Sequence, residues 1–413
     1  MYRWGNLELH DPAISIVRET FMNGRYDTPG TFNSWIVRYP MFPFTIIPFL
    51  LYCSNKCRSM LRQILRINFT AFIKAAVCSF WVLMAGAVQA QDPVFSQFNA
   101  TPLLLNPAFA GTTYAPRISA SYRNEWPSFA DNGASAYSTY AISFDQFVPA
   151  FNSGFGVVVL ADNAGGGLIK ATSAAAAYAY RIEVNNDLSL KLGINAGFLQ
   201  TSVDWDRLIF LDQLDPITGI VDPAGNPNPT NEIRPDQLNK TIFDVGAGLL
   251  AYSRKFYGGI SIQHLTTPDE GYLQVNSGLQ QGLPLRLSLH GGAQFIVKEG
   301  NKRHAASFFS PNILFIKQGD QGQVNLGAYY SMGPVFAGGW YRHAFSNPDA
   351  AIGTVGFQYD VLKIAYSYDF TVSSLAASGG AHEISLVLNL ENSEKLQRRR
   401  YAERYNDCFK IFR

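Results

Sequence analysis

The residues that come closest to a catalytic arrangement are Ser385 and His382, three positions apart near the end of the chain. A serine hydrolase needs a serine, a histidine and a polar group that orients the histidine, all converging on one place. Both residues lie in a stretch where apolar and polar residues alternate, and in a strand an odd spacing puts side chains on opposite faces. The pair does not predict an active site, and we expect no enzymatic activity.

Metal and nucleotide sites have no better support. A zinc site needs closely spaced cysteine or histidine ligands, and no His-Glu-x-x-His motif occurs. The histidines after residue 90 are scattered: His264, His290, His304, His343 and His382. The chain has no Walker A motif and no dinucleotide fingerprint. The three glycines at 165–167 fit a tight turn, so we expect no cofactor and no metal.

Four charged residues are more informative, because each lies in an alternating stretch on the face opposite the large apolar residues. They are Arg123, Arg342, Asp369 and Glu383. An Arg or Lys on the lipid face of a membrane barrel costs about 2–4 kcal/mol at the midplane, so in such a barrel these residues belong in the lumen. Two interpretations stay open: a salt-bridge network that fixes the barrel shape, or a set of groups that holds an N-terminal plug.

The composition fits a sheet that faces lipid better than a set of soluble domains. Charged residues make up 15% of the 413 residues and aromatic residues 14%, whereas globular proteins average about 25% charged residues. An apolar content of 47% is too high for a disordered chain, and four cysteines are too few for a disulfide scaffold. A net charge of +2 gives no basic excess for nucleic acid.

From about residue 115 the dominant period is two, with turn residues between short runs. This pattern predicts an all-β fold, a 14-stranded antiparallel transmembrane barrel of the outer membrane over residues 115–391. The runs are 115–125, 137–147, 153–162, 169–182, 187–202, 241–253, 256–265, 284–298, 303–317, 321–332, 335–343, 352–360, 362–371 and 381–391. If the first run crosses the membrane outward, connections from an even-numbered run to the next lie in the periplasm, and these are short. Connections from an odd-numbered run to the next are mostly longer, as in outer-membrane barrels. A soluble β-sandwich or lipocalin-type barrel is the alternative, and the high aromatic content argues against it.

The first ninety residues read as a leader. Residues 60–90 have a basic start, an apolar run (AAVCSFWVLMAGAV, 75–88) and a small-residue cleavage site before Gln91, which together predict a signal peptide. Residues 1–59 are then interpreted as an over-extended start that is not structured. Without residues 1–90 the chain carries 24 basic and 27 acidic residues, a net charge of −3, and Cys408 is its one cysteine.

Three further segments fall outside the strand pattern. Residues 91–114 are predicted to form a plug in the lumen or a segment along the periplasmic rim, with Phe95, Gln97, Asn106, Pro107 and Gly111 as its characteristic residues. The loop 202–240 is either a solvated loop or a cargo-docking or calcium-binding surface. Residues 392–413 are predicted to form a basic periplasmic tail, either solvated or a docking peptide. Its marked residues are Arg398, Arg399, Arg400, Cys408 and Phe412.

Several short motifs, in one order along the chain, resemble the PorP/SprF family of outer-membrane proteins. They are QDPVFSQF (91–98), LNPAFAG (105–111), SYRNEW (121–126), QHLTTP (263–268), SPNILF (310–315), GGWYR (338–342), IAYSYDF (364–370) and HEISL (382–386). Together they cover essentially all of residues 91–390. The ending Cys408 to Phe412 is similar to a cysteine-and-phenylalanine ending of relatives, without the proline expected after the cysteine.

The resemblance implies a non-catalytic component of the type IX secretion and gliding apparatus in the cell outer membrane. Its implied partners are outer-membrane lipid, the periplasmic ring lipoprotein with its companion protein, and an adhesin-like cargo with a C-terminal secretion domain. We therefore expect an adaptor that aids export or surface display of one cargo. The alternative is a fatty-acid-channel-type transporter of hydrophobic small molecules. A transporter should have an apolar pocket in its lumen, and an adaptor a polar lumen.

Overall fold

The computed structural model describes residues 92–129, 136–222, 224–269, 282–299, 306–345, 347–373 and 376–392, together with Cys408, Phe409 and Phe412. The predicted leader at 1–90 and the three arginines at 398–400 lie outside the described residues. In the described part of the chain, no helix is long and apolar enough to cross a membrane.

The described strands form one antiparallel sheet that closes on itself. They are β1 (Arg117–Glu125), β2 (Tyr137–Val148), β3 (Ser153–Ala164), β4 (Ile169–Glu183), β5 (Ser189–Val203), β6 (Asn239–Tyr252), β7 (Phe256–Gln263), β8 (Arg286–Ala293), β9 (Phe295–Lys298), β10 (Ser307–Gln318), β11 (Gln321–Met332), β12 (Val335–Ala344), β13 (Pro348–Tyr359), β14 (Leu362–Thr371) and β15 (Ala381–Asn389). Neighbours along the chain pair with each other, except β8 and β9, and β1 pairs with β15 to close the barrel.

The strands β8 and β9 are two halves of one interrupted strand of the barrel. Both pair with β10, β8 through Asn312–Gln318 and β9 through Ser307–Phe309, and Gln294 interrupts the run between them. The described residues therefore form a barrel of 14 strands, counting β8 and β9 as one, and each of them overlaps one of the 14 predicted runs. The predicted fold class is confirmed, with strand ends displaced by at most a few residues.

The side chains of each strand alternate between the lumen and the outside. Large apolar side chains mostly face outward and small or polar ones face the lumen, whereas a soluble protein has its apolar side chains inside. In β14, Ala365, Ser367 and Asp369 are at most 4% exposed and face the lumen. Their neighbours Ile364 and Tyr366 are 40% or more exposed and face outward. Alternation of this kind suits a wall with lipid on one side and a polar interior on the other.

The two ends of the barrel differ in the length of their connections. At one end, called the turn end below, β6–β7, β11–β12 and β13–β14 are joined by two or three residues (253–255, 333–334 and 360–361). At the other, called the loop end, β5 and β6 are joined by residues 204–238. In outer-membrane barrels short turns face the periplasm and longer loops face the cell exterior.

Residues 92–114, called the N-terminal segment below, lie inside the barrel. The segment contains a short helix α1 (Pro102–Leu105) and a 3-10 turn at Pro107–Phe109. A proline stands at the start of each, where its missing N–H leaves no helical hydrogen bond unmade. The Asn106 side chain accepts a hydrogen bond from the backbone N–H of Ala108 at 2.8 Å and caps the 3-10 turn.

Candidate functional site in the barrel lumen

The N-terminal segment runs along the lumen from the loop end to the turn end. Its first described residue, Asp92, donates its backbone N–H to Gln318 at the loop end of β10, at 3.0 Å. Near its other end, the backbone N–H of Tyr114 donates to Glu391, just beyond the turn end of β15, at 3.1 Å. The chain then enters β1. The segment therefore contacts the barrel wall over most of the height of the barrel.

The four charged residues predicted to face the lumen meet in one cluster, called the charge cluster below. Arg123 lies 3.0 Å from a carboxylate oxygen of Asp369 and 3.2 Å from one of Glu383. Arg342 lies 3.0 Å from the same Asp369 oxygen. The side chains of Arg123, Asp369 and Glu383 are at most 2% exposed. The two arginines compensate the charges of these two buried carboxylates. Each arginine also pairs with a less buried carboxylate, Arg123 with Glu125 at 2.7 Å and Arg342 with Asp349.

The charge cluster also binds the N-terminal segment. Both carboxylate oxygens of Glu383 accept backbone N–H groups, from Ser96 and from Gln97, each at 2.8 Å. The Ser96 hydroxyl donates to Asp369 at 2.7 Å and accepts from Arg123 at 2.9 Å. Salt bridges and segment binding, which the sequence left as alternatives, involve the same side chains.

The side chain of Gln97 has partners for both of its polar atoms, although it is only 1% exposed. Its amide donates to Ser367 at 3.0 Å and to the Glu383 carbonyl at 3.1 Å. Its oxygen accepts from Ser385 at 2.5 Å. A buried amide with both ends satisfied fixes the segment against β14 and β15, because any displacement leaves polar atoms unpaired.

A second ionic contact holds the first described residue of the segment at the loop end. A carboxylate oxygen of Asp92 lies 2.6 Å from His264 Nε2 and 3.1 Å from Arg286. The other ring nitrogen of His264 lies 3.0 Å from Asp244. Burial alone would lower the pKa of His264, but the hydrogen bonds and charges of Asp244 and Asp92 raise it to about 9. Burial opposes ionisation of Asp92 as well, yet His264 and Arg286 lower its pKa well below its usual range.

The middle of the segment reaches the wall through Asn106. Its amide nitrogen donates to the Leu249 carbonyl at 3.1 Å and to the Ile260 carbonyl at 3.2 Å. The facing positions on β5 and β6 are glycines: a Cβ at Gly193 would overlap the Ala108 backbone, and one at Gly248 would overlap the Asn106 side chain. Glycine in a strand often marks such a close approach. Pro107, in the same turn, is buried.

Gly111, near the end of the segment, has a backbone conformation that favours glycine. Its φ is +63°, and a Cβ there would overlap Gly154 and the β2 backbone. Its N–H donates to Asp145 at 2.9 Å, and Asp145 also pairs with Arg117 at 2.8 Å. Of the other residues singled out in this segment, Phe95 is buried in a small apolar cluster with Ala141 and Leu160.

The end of the chain differs from its prediction. Cys408 and Phe412 were expected in a periplasmic tail, but each is only 1% exposed and lies inside the barrel, with Phe409 beside them. Phe412 stacks on Phe109 of the N-terminal segment with 5.0 Å between ring centroids. The prediction gave weight to the nearby arginines and missed the apolar character of the last residues, which suits the aromatic wall at the turn end.

The described residues do not bring together the serine-hydrolase pair or a metal site that the sequence analysis considered. Ser385 is buried beneath Gln97, whereas His382 contacts Tyr366 Oη at 2.8 Å on the outward side. No group of three or more His, Cys, Asp or Glu side chains is placed to hold a metal within the described ranges. A cavity between Phe95, Phe98, Leu104 and the strand residues Leu314 and Ile316 has a volume of about 20 Å³, room for roughly one water molecule.

Sequence reasoning missed the contacts of Asp92, His264 and Arg286, and also Ser96 and Phe109. The available signals were weak. His264 stands in one of the motifs that carried the family resemblance, and glycines inside the predicted strands β5 and β6 hinted at a close backbone approach. Neither signal names a partner, because the partners lie in distant parts of the chain.

Comparison with known proteins identifies the family. The family model described as type IX secretion system membrane protein PorP/SprF matches residues 87–388. The chain belongs to the PorP/SprF family. It is accordingly an outer-membrane component of the type IX secretion system, and membrane-associated partners of that system are expected. No curated protein sequence is significantly similar to the chain.

Solved structures with a similar fold are outer-membrane proteins of low sequence identity. The toluene transporter TbuX of Ralstonia pickettii is 11% identical over 70% of this chain and 92% of its own, with a TM-score of 0.42. Omp33 of Acinetobacter baumannii is 7% identical over 68% of this chain and 99% of its own, with a TM-score of 0.36. A FadL homologue of Pseudomonas aeruginosa is 12% identical over 69% and 93%, with a TM-score of 0.34. These likenesses concern the fold and carry no argument about a substrate.

Proposed function

We propose that this PorP/SprF protein is a closed, non-catalytic adaptor that aids export or surface display of one cargo protein. The observation that carries the proposal is the position of the N-terminal segment inside the lumen. The N-terminal segment occupies it from end to end and is bound by a buried charge cluster rather than by exposed contacts. A barrel filled in this way offers its two ends, and not its interior, to other proteins.

The long loop between β5 and β6 supports a protein contact at the loop end. Large apolar side chains stand out from it: Leu211 is 88% exposed, Ile217 93% and Ile233 77%. Exposed apolar side chains grouped in one loop are typical of a protein-binding surface. We propose that the cargo docks here, with its C-terminal secretion domain as the part recognised.

The same loop is ordered by its own acidic residues, which favours docking over calcium binding. Asp215 accepts the backbone N–H groups of Ile217 and Thr218 at 2.7 and 2.9 Å. Asp212 accepts from the backbone of Asn231 and the hydroxyl of Thr230 at 2.6 and 2.9 Å. Because these N–H groups stabilise the carboxylates, the pKa values of Asp212 and Asp215 are lowered. The carboxylate oxygens serve the fold of the loop.

The fatty-acid-channel alternative needs an apolar path through the lumen. The cavity between the N-terminal segment and β10 holds roughly one water molecule, whereas a fatty-acid chain requires several times that space. The polar groups that line the segment, Glu383 and Asp369 among them, also oppose passage of an apolar molecule. These features favour the adaptor.

The periplasmic side of the proposal concerns the ring lipoprotein and its companion protein. We propose that they meet the turn end and that they bind the basic residues Arg398, Arg399 and Arg400, which precede the buried residues Phe409 and Phe412 in the sequence. Removing their charge by substitution with glutamine should weaken co-purification with the ring proteins and leave the barrel folded.

The adaptor proposal is tested by deleting the protein and quantifying surface proteins. We expect the loss of one or a few large exported proteins, with other secretion intact. An unchanged set of surface proteins together with reduced uptake of hydrophobic compounds would instead support the transporter.

A loop variant separates docking from general loss of the barrel. The triple variant Leu211→Asn, Ile217→Asn and Ile233→Asn should lose surface display of the same cargo while remaining in the outer membrane. The matched control places Asn at Phe151 and Val184, which are also exposed, at 66% and 51%, but lie at the turn end. Equal loss of display in both variants would contradict docking at the loop.

A further inference from the structure

Aromatic rings from three distant parts of the chain meet in the lumen at the turn end. Phe109 comes from the N-terminal segment, Tyr252 and Tyr257 come from β6 and β7, and Phe409 and Phe412 come from the end of the chain. The ring centroids of Phe409 lie 5.0 Å from Tyr252 and 5.7 Å from Tyr257. Those of Phe412 lie 5.0 Å from Phe109 and 5.3 Å from Tyr257.

These contacts bury the end of the chain as deeply as the core of a soluble protein. Phe409 and Phe412 are 2% and 1% exposed, and Phe109 is fully buried between them and the ring of His290. Stacked and edge-to-face rings at these separations attract each other beyond the burial of their surface. The side chains therefore bind a defined aromatic site rather than resting on a rim.

One ion pair connects the two segments at this place. Arg117 Nε donates to Asp145 at 2.8 Å, and Arg117 Nη1 donates to the Phe412 carbonyl at 3.0 Å. The other carboxylate oxygen of Asp145 accepts the Gly111 N–H at 2.9 Å. The end of the N-terminal segment and the end of the chain are thus held by the same buried Arg117–Asp145 pair.

We propose that the turn end of the lumen is a binding site for an aromatic peptide, that Phe409 and Phe412 of this chain fill it, and that this occupancy keeps the N-terminal segment seated. Phe109 is covered on one side by the strand wall and on the other by the two phenylalanines. When the tail leaves, one face of Phe109 loses its cover and Arg117 loses its Phe412 contact. The segment then keeps its contacts with the charge cluster, the Asp92 contacts at the loop end and the hydrogen bonds of Asn106. This inference does not depend on the adaptor role.

The reactivity of Cys408 reports whether the tail is bound. Cys53, Cys57 and Cys78 are replaced by serine in the full chain, so that Cys408 is the one thiol, and its labelling by a maleimide is followed in detergent. We expect slow labelling, because Cys408 is 1% exposed. The double variant Phe409→Ala and Phe412→Ala should label about tenfold faster or more, since local opening becomes easier.

Two comparison variants keep this test specific. Phe109→Ala removes the ring on which the tail stacks and should also accelerate labelling of Cys408. Phe151→Ala removes an exposed phenylalanine at the same end of the barrel, outside the lumen, and should leave the rate unchanged. Heat-dependent gel mobility shows whether each barrel is folded. Fast labelling of the parent protein, or equal rates in all variants, would overturn the proposal.

A peptide added in trans tests the binding site itself. The chain lacking residues 408–413 should show current in planar bilayers that the full chain lacks, because its N-terminal segment is less firmly seated. A synthetic peptide of residues 404–413, added from the turn end, should suppress that current. The same peptide with alanine at both phenylalanine positions should have no effect. Absence of current in the shortened chain, or equal suppression by both peptides, would contradict the proposal.

Discussion

The two halves of the lumen hold the same N-terminal segment by different forces. Toward the loop end the contacts are ionic: Asp92 with His264 and Arg286, and Ser96 and Gln97 with the charge cluster. Toward the turn end they are mainly aromatic stacking around Phe109 and close backbone approach at glycines, with one buried ion pair, Arg117–Asp145, that accepts the Gly111 N–H. Buried charges fix position but require every partner, because their desolvation is costly. Apolar packing stabilises the segment by burying its surface, and because the packing is close, additional side-chain volume destabilises it.

The largest expected effect follows from removing one charge from the charge cluster. Arg123→Ala leaves Asp369 and Glu383 with less compensation, and breaking a buried pair in this way costs about 3–5 kcal/mol. The free energy of unfolding, measured by denaturant titration of the folded gel band, should fall by that amount. The N-terminal segment should become accessible to protease.

An exposed ion pair provides the matched control. Arg234 pairs with Asp206 at 2.8 Å in the β5–β6 loop, with about half of the arginine side chain exposed. Arg234→Ala should change the free energy of unfolding by less than about 1 kcal/mol, because exposed pairs contribute little. If both arginine variants lose the same stability, burial is not what makes the charge cluster strong.

The next effect comes from filling the space where the segment approaches the wall. Gly193→Val places a side chain against the backbone of Ala108, and overpacking of this kind costs about 1–3 kcal/mol. Gly339→Val is the control, since no atom lies within 4 Å of a Cβ there. The protease sensitivity of the N-terminal segment should rise in the first variant alone. A segment that stays protected in Gly193→Val would mean that it does not pack on β5.

The strand pattern could be read from the sequence, because each strand faces lipid on one side and the lumen on the other. Ile364, Tyr366 and Phe370 mark one face of β14 without reference to any other part of the chain. The same alternation predicted that the four residues of the charge cluster face the lumen. It did not predict the interruption between β8 and β9, because this depends on how Gln294 pairs with its neighbours.

The contacts of the two chain ends could not be read in this way. Asp92 and His264 are 172 positions apart, and Arg117 and Phe412 are 295 apart. No local periodicity connects such pairs. The arginines at 398–400 favoured a basic periplasmic tail, either solvated or a docking peptide. The burial of Phe409 and Phe412 depends on rings from β6 and β7 that only the folded barrel brings together.

The smallest expected effect is the pH dependence of the contact at the loop end. The pKa of His264 is raised from its ordinary value of 6.5 to about 9. Its contribution is therefore complete below pH 6.5 and is lost as the pH rises through 9. The pKa of Asp92 is lowered from 3.8, so its contribution is present above that value and lost as the pH falls below it.

Between pH 6 and pH 9.5 the protein should lose on the order of 1 kcal/mol of unfolding free energy through this contact, since water screens charges near the rim. The variant His264→Gln should show a flatter dependence over the same range, measured by denaturant titration at each pH. Identical pH profiles for the two proteins would show that the Asp92 contact does not stabilise the segment.

The central claim is that the N-terminal segment closes the lumen, so that the protein acts through its ends. Single-channel conductance of the full chain, compared with a chain that lacks residues 91–111, tests it most directly. We predict no sustained current for the full chain and a steady open-pore current for the shortened one, with both barrels folded by gel mobility. Unchanged conductance after the deletion would contradict the claim.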